Sequence, residues 1–371
     1  MCAQLHIRCP VSSLREALSE VIPVVPSRTT LPALECIHFR CEGDTTTLTA
    51  TNLDLRISVR CPTTVLKSGE ALIPAKILWE TVRSLERAEE LSLHADNTSI
   101  TLETNYGRYT MAGLPPEEFP TGERSPEPAL ELPAEVIQRL VRHVLFAASE
   151  DPVRLALTGI LWEFRADGFT AVATDGYRLS RLHVPAEIPQ QGSILVPAET
   201  VELLRRVTEP LRVGWDDTTI SLIAGSTTIV GRLIGEKFPA YEQVIPTTNS
   251  RRCFVERERL LSAIERVALF SPSQARIIRL LFQEGGITLQ AEDESRGDRA
   301  QEVVACDYSG GELLIGFNAH YLSEALKAAH AERLLLEFSE PTKPVVIRWA
   351  ESEALPVLES PLVILVMPVR L

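Results

Sequence analysis

Leu161-Trp-Glu-Phe-Arg-Ala-Asp-Gly-Phe-Thr-Ala-Val-Ala-Thr-Asp175 alternates apolar and polar residues on both sides of an Asp-Gly turn, which is a β-hairpin signature. The pattern occurs twice more. Upstream it reads Ile37-His-Phe-Arg-Cys-Glu-Gly-Asp-Thr-Thr-Thr-Leu-Thr-Ala-Thr-Asn-Leu-Asp54, and downstream Leu280-Leu-Phe-Gln-Glu-Gly-Gly-Ile-Thr-Leu-Gln-Ala-Glu-Asp293. Phe39, Phe164 and Phe282 hold equivalent places, 125 and 118 positions apart. That period is the size of a whole domain, so the chain reads as three tandem copies of one unit.

Two further elements repeat in the same order. A strand runs into a helix at Ala71-Leu-Ile-Pro-Ala-Lys-Ile-Leu-Trp-Glu-Thr-Val-Arg83, at Ile194-Leu-Val-Pro-Ala-Glu-Thr-Val-Glu-Leu-Leu-Arg-Arg206 and at Leu314-Ile-Gly-Phe-Asn-Ala-His-Tyr-Leu-Ser-Glu-Ala-Leu326. Proline beside a helix's first turn suits its fixed φ and missing N–H. Amphipathic helices open the copies over Val11 to Ile22, Pro133 to Phe146 and Glu256 to Phe270; Val136, Ile137, Leu140 and Val144 show the spacing. The endings also match: Leu114-Pro-Pro-Glu-Glu-Phe119-Pro120, Lys237-Phe-Pro-Ala-Tyr241, and a last strand over Val363 to Leu371. Thr121 to Glu131 and Pro246 to Arg252 read as linkers, which sets domains at 1–124, 125–249 and 250–371. Each copy then carries two helices on one side of an antiparallel sheet, an α+β architecture.

Of the 371 residues, 45% are hydrophobic and 23% charged, as in a soluble globular protein. No apolar run reaches the roughly 20 residues of a membrane span, and the N-terminus lacks a signal-peptide pattern, so a cytoplasmic location is expected. Seven cysteines, an odd count with no CxxC, argue against a disulfide framework or a zinc site. A net charge of −13 speaks against tight nucleic-acid binding unless Lys and Arg are gathered on one face. No Walker A loop, GxGxxG, HExxH or GxSxG occurs, so no enzyme activity and no cofactor or metal is expected. Asp175, beside Tyr177 and Arg178, reads as a turn-stabilising Asp-Gly. The acidic group Glu292, Asp293, Glu294, Asp298 and Glu302 reads as a solvated loop.

Four ordered motifs carry a family resemblance. They are Ala173-Thr-Asp-Gly-Tyr-Arg-Leu179, Lys237-Phe-Pro-Ala-Tyr241 leading into Val244-Ile245-Pro246, Gly316-Phe-Asn318 with Tyr321, and Met367-Pro-Val-Arg-Leu371. Together they resemble the bacterial DNA polymerase III beta subunit, the DNA sliding clamp family, over the whole chain. The resemblance implies a head-to-tail homodimer that closes six domains into a ring with helices inside. It places Tyr109 of one copy against Leu269 and Phe270 of the other, whereas residue pattern alone also allows all three to be core.

A clamp that slides must contact phosphates rather than base edges. The candidates on the polar helix faces are Lys76, Arg83, Arg139, Arg142, Arg205, Arg206, Arg266 and Lys327, with Arg28 in the loop after the first helix. The resemblance also implies a groove for short Gln/Leu/Phe peptides of the polymerase, the clamp loader and other partners. Its walls would be Leu157, Thr174, Gly176, Tyr177, Leu179, Pro246, Leu365, Val366 and Met367. Arg154, Arg178, Asn318, Tyr321, Pro368, Val369, Arg370 and Leu371 would supply rim and anchors. Tyr177 stands where the family usually has His, and Ala275 where an aromatic is common, so peptide preference is expected to differ. The loop Ser149-Glu-Asp-Pro-Val153 is acidic and one residue longer than the common form. A paralogous clamp serving repair, or a hydrolase with an unrecognised site, are the alternative readings.

Overall fold

The computed structural model describes residues 4–85, 89–120, 122, 125–272 and 276–371. The Ala275 expectation therefore lies outside the described residues. The chain divides into two compact units. One comprises Met1–Ala134 and Arg206–Leu233, the other Glu135–Arg205 and Ile234–Leu371.

The hairpins form as their alternation predicts. Cys36–Glu42 pairs with Thr45–Thr51, Gly159–Arg165 with Gly168–Thr174, and Ile277–Gln283 with Gly286–Asp293. The three phenylalanines share one register: Phe39 opposes Leu48, Phe164 opposes Phe169, and Phe282 opposes Ile287. All three rings are buried. Across its other edge, each hairpin pairs with the strand that feeds a helix: Gly69–Pro74, Gly192–Pro197 and Leu313–Asn318.

The helices are α1 (Val11–Val21), α2 (Ala75–Ser84), α3 (Ala134–His143), α4 (Ala198–Glu202), α5 (Arg257–Ala268) and α6 (Ala319–Ala329). Pro74, Pro197 and Asn318 stand at the N-caps of α2, α4 and α6. The Asn318 side-chain oxygen accepts the N–H groups of His320 (2.9 Å) and Tyr321 (3.3 Å), satisfying two otherwise unpaired donors. The middle copy departs from expectation. Its second helix keeps only five α-helical residues before tightening into a 3-10 turn over Leu203–Arg206. Arg205 and Arg206 thus stand on that turn rather than on an α-helix. Pro210 and the strand Leu211–Trp215 follow at once and leave little length for further turns.

The first unit holds two sheets. Five strands run in the order Thr64–Lys67, Gln4–Pro10, Glu90–Asp96, Ser99–Glu103, Arg108–Ala112. Eight run from Leu130–Leu132 through Leu211–Trp215, Thr219–Ala224 and Thr227–Arg232 onto Leu55–Pro62 and the first hairpin. The pairing of Thr227–Arg232 with Leu55–Pro62 carries segment 206–233 into this unit. Val11, Leu14, Leu18 and Val21 of α1 form its apolar face and are buried.

The second unit holds one twelve-stranded antiparallel sheet. Its middle seam pairs Arg178–Pro185 with Leu362–Val366, so that Arg178 opposes Val366 and Leu179 opposes Leu365. The last strand ends at Val366, earlier than the expected Leu371. Behind the seam, Arg348 is fully buried against Glu337 at 2.7–2.8 Å. It also donates to the carbonyls of Ser352 (2.9 Å) and Leu355 (3.0 Å). This network ties the 350–360 loop to the sheet, and that loop contributes Val357 to the core beneath the seam.

Six cysteines are described and all are free thiols. Burial pushes the Cys9 and Cys61 thiols up to about 12, which keeps them protonated and inert at neutral pH.

Candidate partner groove, helix-face cations and dimer edges

The turn Thr174–Arg178 is set by its own side chains. Asp175 Oδ1 accepts the N–H groups of Tyr177 (2.8 Å) and Arg178 (2.9 Å), as the turn reading of Asp175 predicts. Thr174 Oγ1 donates to the Arg178 carbonyl (2.6 Å) and accepts from the Gly176 N–H (3.1 Å). Gly176 has φ +89°, a region that costs a side-chain-bearing residue strain. The turn thereby presents Tyr177 outward, half-exposed, with its ring stacked on Tyr321 at 5.6 Å and 16°. Such a pair is worth about 0.5–1.5 kcal/mol beyond area burial.

The C-terminal tail docks on this wall. The Met367 N–H donates to the Tyr177 carbonyl (2.8 Å), and the Val369 N–H to the Gly316 carbonyl (2.9 Å). The tail's side chains close over Gly316, where a Cβ would lie 2.5 Å from Leu371 Cδ2 and 3.0 Å from Val369 Cγ2, so a larger residue would displace them. Below, Leu179, Leu365, Val172, Tyr241 and Ile245 form a buried floor, with Ala156 packed against it. Val366 is also fully buried, so it and Leu365 act as floor. Gly176, Tyr177, Met367, Arg370, Leu371 and Arg154 are exposed; Leu157, Pro246, Asn318, Tyr321, Pro368 and Val369 are half-buried. The Asn318 side chain is occupied as a helix cap.

Arg178 requires a correction. It is not a rim group but is only 9% exposed. Its Nε donates to Asp175 Oδ2 (3.1 Å) and its Nη1 donates to Glu324 of α6. Its guanidinium lies 5.0 Å from the Tyr321 ring and 5.2 Å from the Phe146 ring. It is a strut behind the aromatic wall. Glu324 and Phe146 are the groups that the residue pattern missed. The available signal was weak: Glu324 lies three residues beyond Tyr321, on the same helix face.

Most of the expected helix-face cations are exposed: Arg28, Lys76, Arg83, Arg142, Arg205, Arg206, Arg266 and Lys327. Arg139 is half-buried, 5.9 Å from the Trp349 ring. Several have acidic partners. Arg266 Nε donates to Glu302 (3.0 Å), Lys327 pairs with Glu265 (2.7 Å), and Arg205 pairs with Glu202. Among the described residues Arg28, Lys76, Arg83 and Arg142 make no ion pair. The acidic group near 293 is likewise neutralised: Glu292 by Arg299 (2.7 Å), and Asp293 and Asp298 by Arg296 (2.9 and 3.1 Å).

Tyr109, Leu269 and Phe270 are all exposed rather than core. Tyr109 stands on Arg108–Ala112, one of the two edge strands of the five-stranded sheet. In the second unit the long strand Asp298–Ser309 pairs with Gly286–Asp293 over 298–305 and with Arg251–Glu256 only over 306–309. Its 298–305 stretch therefore leaves one edge unpaired among the described residues, with Val303 63% exposed. Residue patterning did not single out this edge.

Comparison with known families matches three consecutive stretches. Residues 5–123 match the N-terminal domain of the DNA polymerase III beta subunit, 131–240 its central domain, and 242–362 its C-terminal domain. The chain belongs to the DNA polymerase III beta subunit family. The beta sliding clamp of Synechococcus elongatus is 30% identical over 383 residues, covering 99% of this chain and all of the relative. That of Pseudomonas aeruginosa is 29% identical over 375 residues, with the same coverage. The crystal structure of the Pseudomonas aeruginosa sliding clamp bound to griselimycin superposes with a TM-score of 0.91 at 28% identity, covering 99% of this chain and 100% of that one. Fold and family thus agree with the expectation from sequence. No helix among the described residues is long and apolar enough to cross a membrane.

Proposed function

We propose that this chain is a DNA sliding clamp, a non-catalytic cytoplasmic processivity factor that tethers the replicative polymerase and other DNA-handling enzymes to duplex DNA. The observation that carries this is the full-length match to three consecutive beta-subunit domains, joined to a threefold repeat seen in both sequence and register. The three domains are 1–124, 125–249 and 250–371. Two copies join head to tail and close six domains into a ring around DNA, a heterologous contact that closes by rotation. The exposed edge carrying Tyr109 meets the unpaired 298–305 edge of the second copy, with Leu269 and Phe270 covering the seam; strand addition of this kind satisfies both edges.

Inside the ring, Arg28, Lys76, Arg83 and Arg142 meet phosphates directly. Arg205, Arg266 and Lys327 do so while exchanging with their carboxylate partners. Loose contacts of this kind bear no sequence information and let the ring move. Beside the turn at Gly176, the stacked Tyr177 and Tyr321, the floor at Leu179 and Leu365, and the Met367–Leu371 tail receive a partner's short Gln/Leu/Phe segment. Clefts at such junctions combine apolar walls with a few polar anchors.

The test is topological. Loaded onto a nicked circular plasmid by a clamp loader, the protein is expected to stay bound at salt concentrations that remove ordinary DNA-binding proteins, and to be lost when the plasmid is linearised. Equal retention on circle and linear DNA would show that it does not encircle its substrate.

A further inference from the structure

A cleft of about 400 Å³ opens on the helix side of the second unit, between α3, the 203–206 turn and α6. Arg142, Arg205 and Lys327 line it, together with Gln138, Phe146 and Glu324. Arg142 makes no ion pair among the described residues, while Arg205 and Lys327 are paired with Glu202 and Glu265; the three suit a phosphate group that exchanges with those carboxylates. Glu324 does not: it lines the same cleft, and its negative charge opposes an anion that enters. The same carboxylate accepts from Arg178 Nη1, and its Oε2 lies 3.1 Å from His320 Nε2. Phe146 is shared in the same way, since its ring lines the cleft while Arg178 lies over it at 5.2 Å.

We infer that Glu324 is a positioning residue shared by two sites, holding Arg178 upright behind the partner groove while lowering the affinity of the helix-side cleft for phosphate. This rests on the groove and channel reading proposed above. On the groove side, Arg178 supports Tyr321, which supports Tyr177, whose carbonyl anchors the tail at Met367. Without the second carboxylate, Arg178 keeps only Asp175, and the aromatic wall loses its brace from α6. On the cleft side, like charges repel, and removal of the carboxylate's charge raises the affinity for phosphate. A loose phosphate seat suits a ring that must slide. One carboxylate therefore keeps DNA weakly held and partners firmly held.

Glu324→Gln keeps the shape and removes the charge. On the intact dimer two probes are read by fluorescence anisotropy: a labelled pentapeptide of Gln, Leu and Phe, and a short linear duplex at low salt. The expected result is a split. Peptide affinity falls by roughly fivefold or more while duplex affinity rises. Peptide and duplex affinities that fall together, or a peptide affinity that does not change, overturn the inference. Arg142→Glu separates the underlying readings: it is expected to weaken duplex binding and leave the peptide unaffected. A wild-type protein that binds no peptide refutes the groove itself, and this inference with it. Matching thermal melting of wild type and both variants confirms that each is folded.

Discussion

His143 ends α3 with its ring buried, Nδ1 at the Ala328 carbonyl of α6 and its plane edge-on to Trp349 at 5.7 Å. Its own carbonyl accepts from Ser180 Oγ (2.6 Å). Burial, only partly offset by the bond to Ala328, lowers its pKa to about 4 from 6.5. The folded chain thus refuses a proton that the unfolded chain accepts between these values. Above pH 6.5 the residue costs nothing. As pH falls from 6.5 towards 4, the folded state loses up to about 3 kcal/mol relative to the unfolded one. His143→Asn is expected to be less stable at neutral pH but to show a flatter decline across this window. Urea midpoints measured every half unit from pH 7 to pH 4 test this; wild-type and variant curves that fall in parallel would refute it. Histidine type was readable from sequence, but its confinement was not, because Ala328 and Trp349 lie far along the chain. Arg178 failed for the same reason. A charged residue in Tyr-Arg-Leu reads as rim until Glu324, 146 positions away, is seen to meet it.

Among the elements, those that alternate around a turn were legible, and so were the strand-to-helix junctions at Pro74, Pro197 and Asn318. Local chemistry fixes both: φ requirements at the turn, and a residue that needs no intrahelical donor at the helix start. The length of α4 was not legible, since Leu203, Leu204, Arg205 and Arg206 are good helix formers that tertiary closure tightens into a 3-10 turn. The C-terminal tail sits between these cases. Val363-Ile-Leu-Val366 reads correctly as strand, but Met367–Leu371 leaves it and is held by two backbone bonds, at Tyr177 and Gly316. Little else fixes the tail, while the floor beneath it, Leu179 and Leu365, is packed independently. Deleting Met367–Leu371 should therefore cost peptide affinity by at least about tenfold, roughly the loss of one good anchor, and leave the dimer intact. Isothermal titration with the peptide, paired with sedimentation of the truncated protein, measures both; truncation that also gives monomers would place the tail in the dimer seam instead.

At the scale of the whole molecule, charge decides what can hold two copies together. Each chain carries a formal −13, so two chains repel on approach. In the ring proposed above, attraction comes from contacts that do not depend on net charge, namely backbone pairing between the Tyr109 edge and the 298–305 edge, and burial of Leu269, Phe270 and Val303. Among the described residues Leu269 and Val303 are two of the most exposed large apolar groups, at 74% and 63%, and Phe270 is exposed at 39%. Such a seam has a distinctive salt response. Added salt screens the repulsion and leaves the apolar term, so the wild-type dimer should tighten modestly from low to physiological ionic strength. Leu269→Lys with Phe270→Arg removes about 3–5 kcal/mol of burial and puts cations in its place. Sedimentation velocity at micromolar concentration is expected to show monomers at every salt concentration, with peptide affinity retained because the groove lies within one chain. A variant that regains the dimer at low salt would reveal a seam governed by charge, and one that stays dimeric throughout would mean that the two exposed edges do not meet.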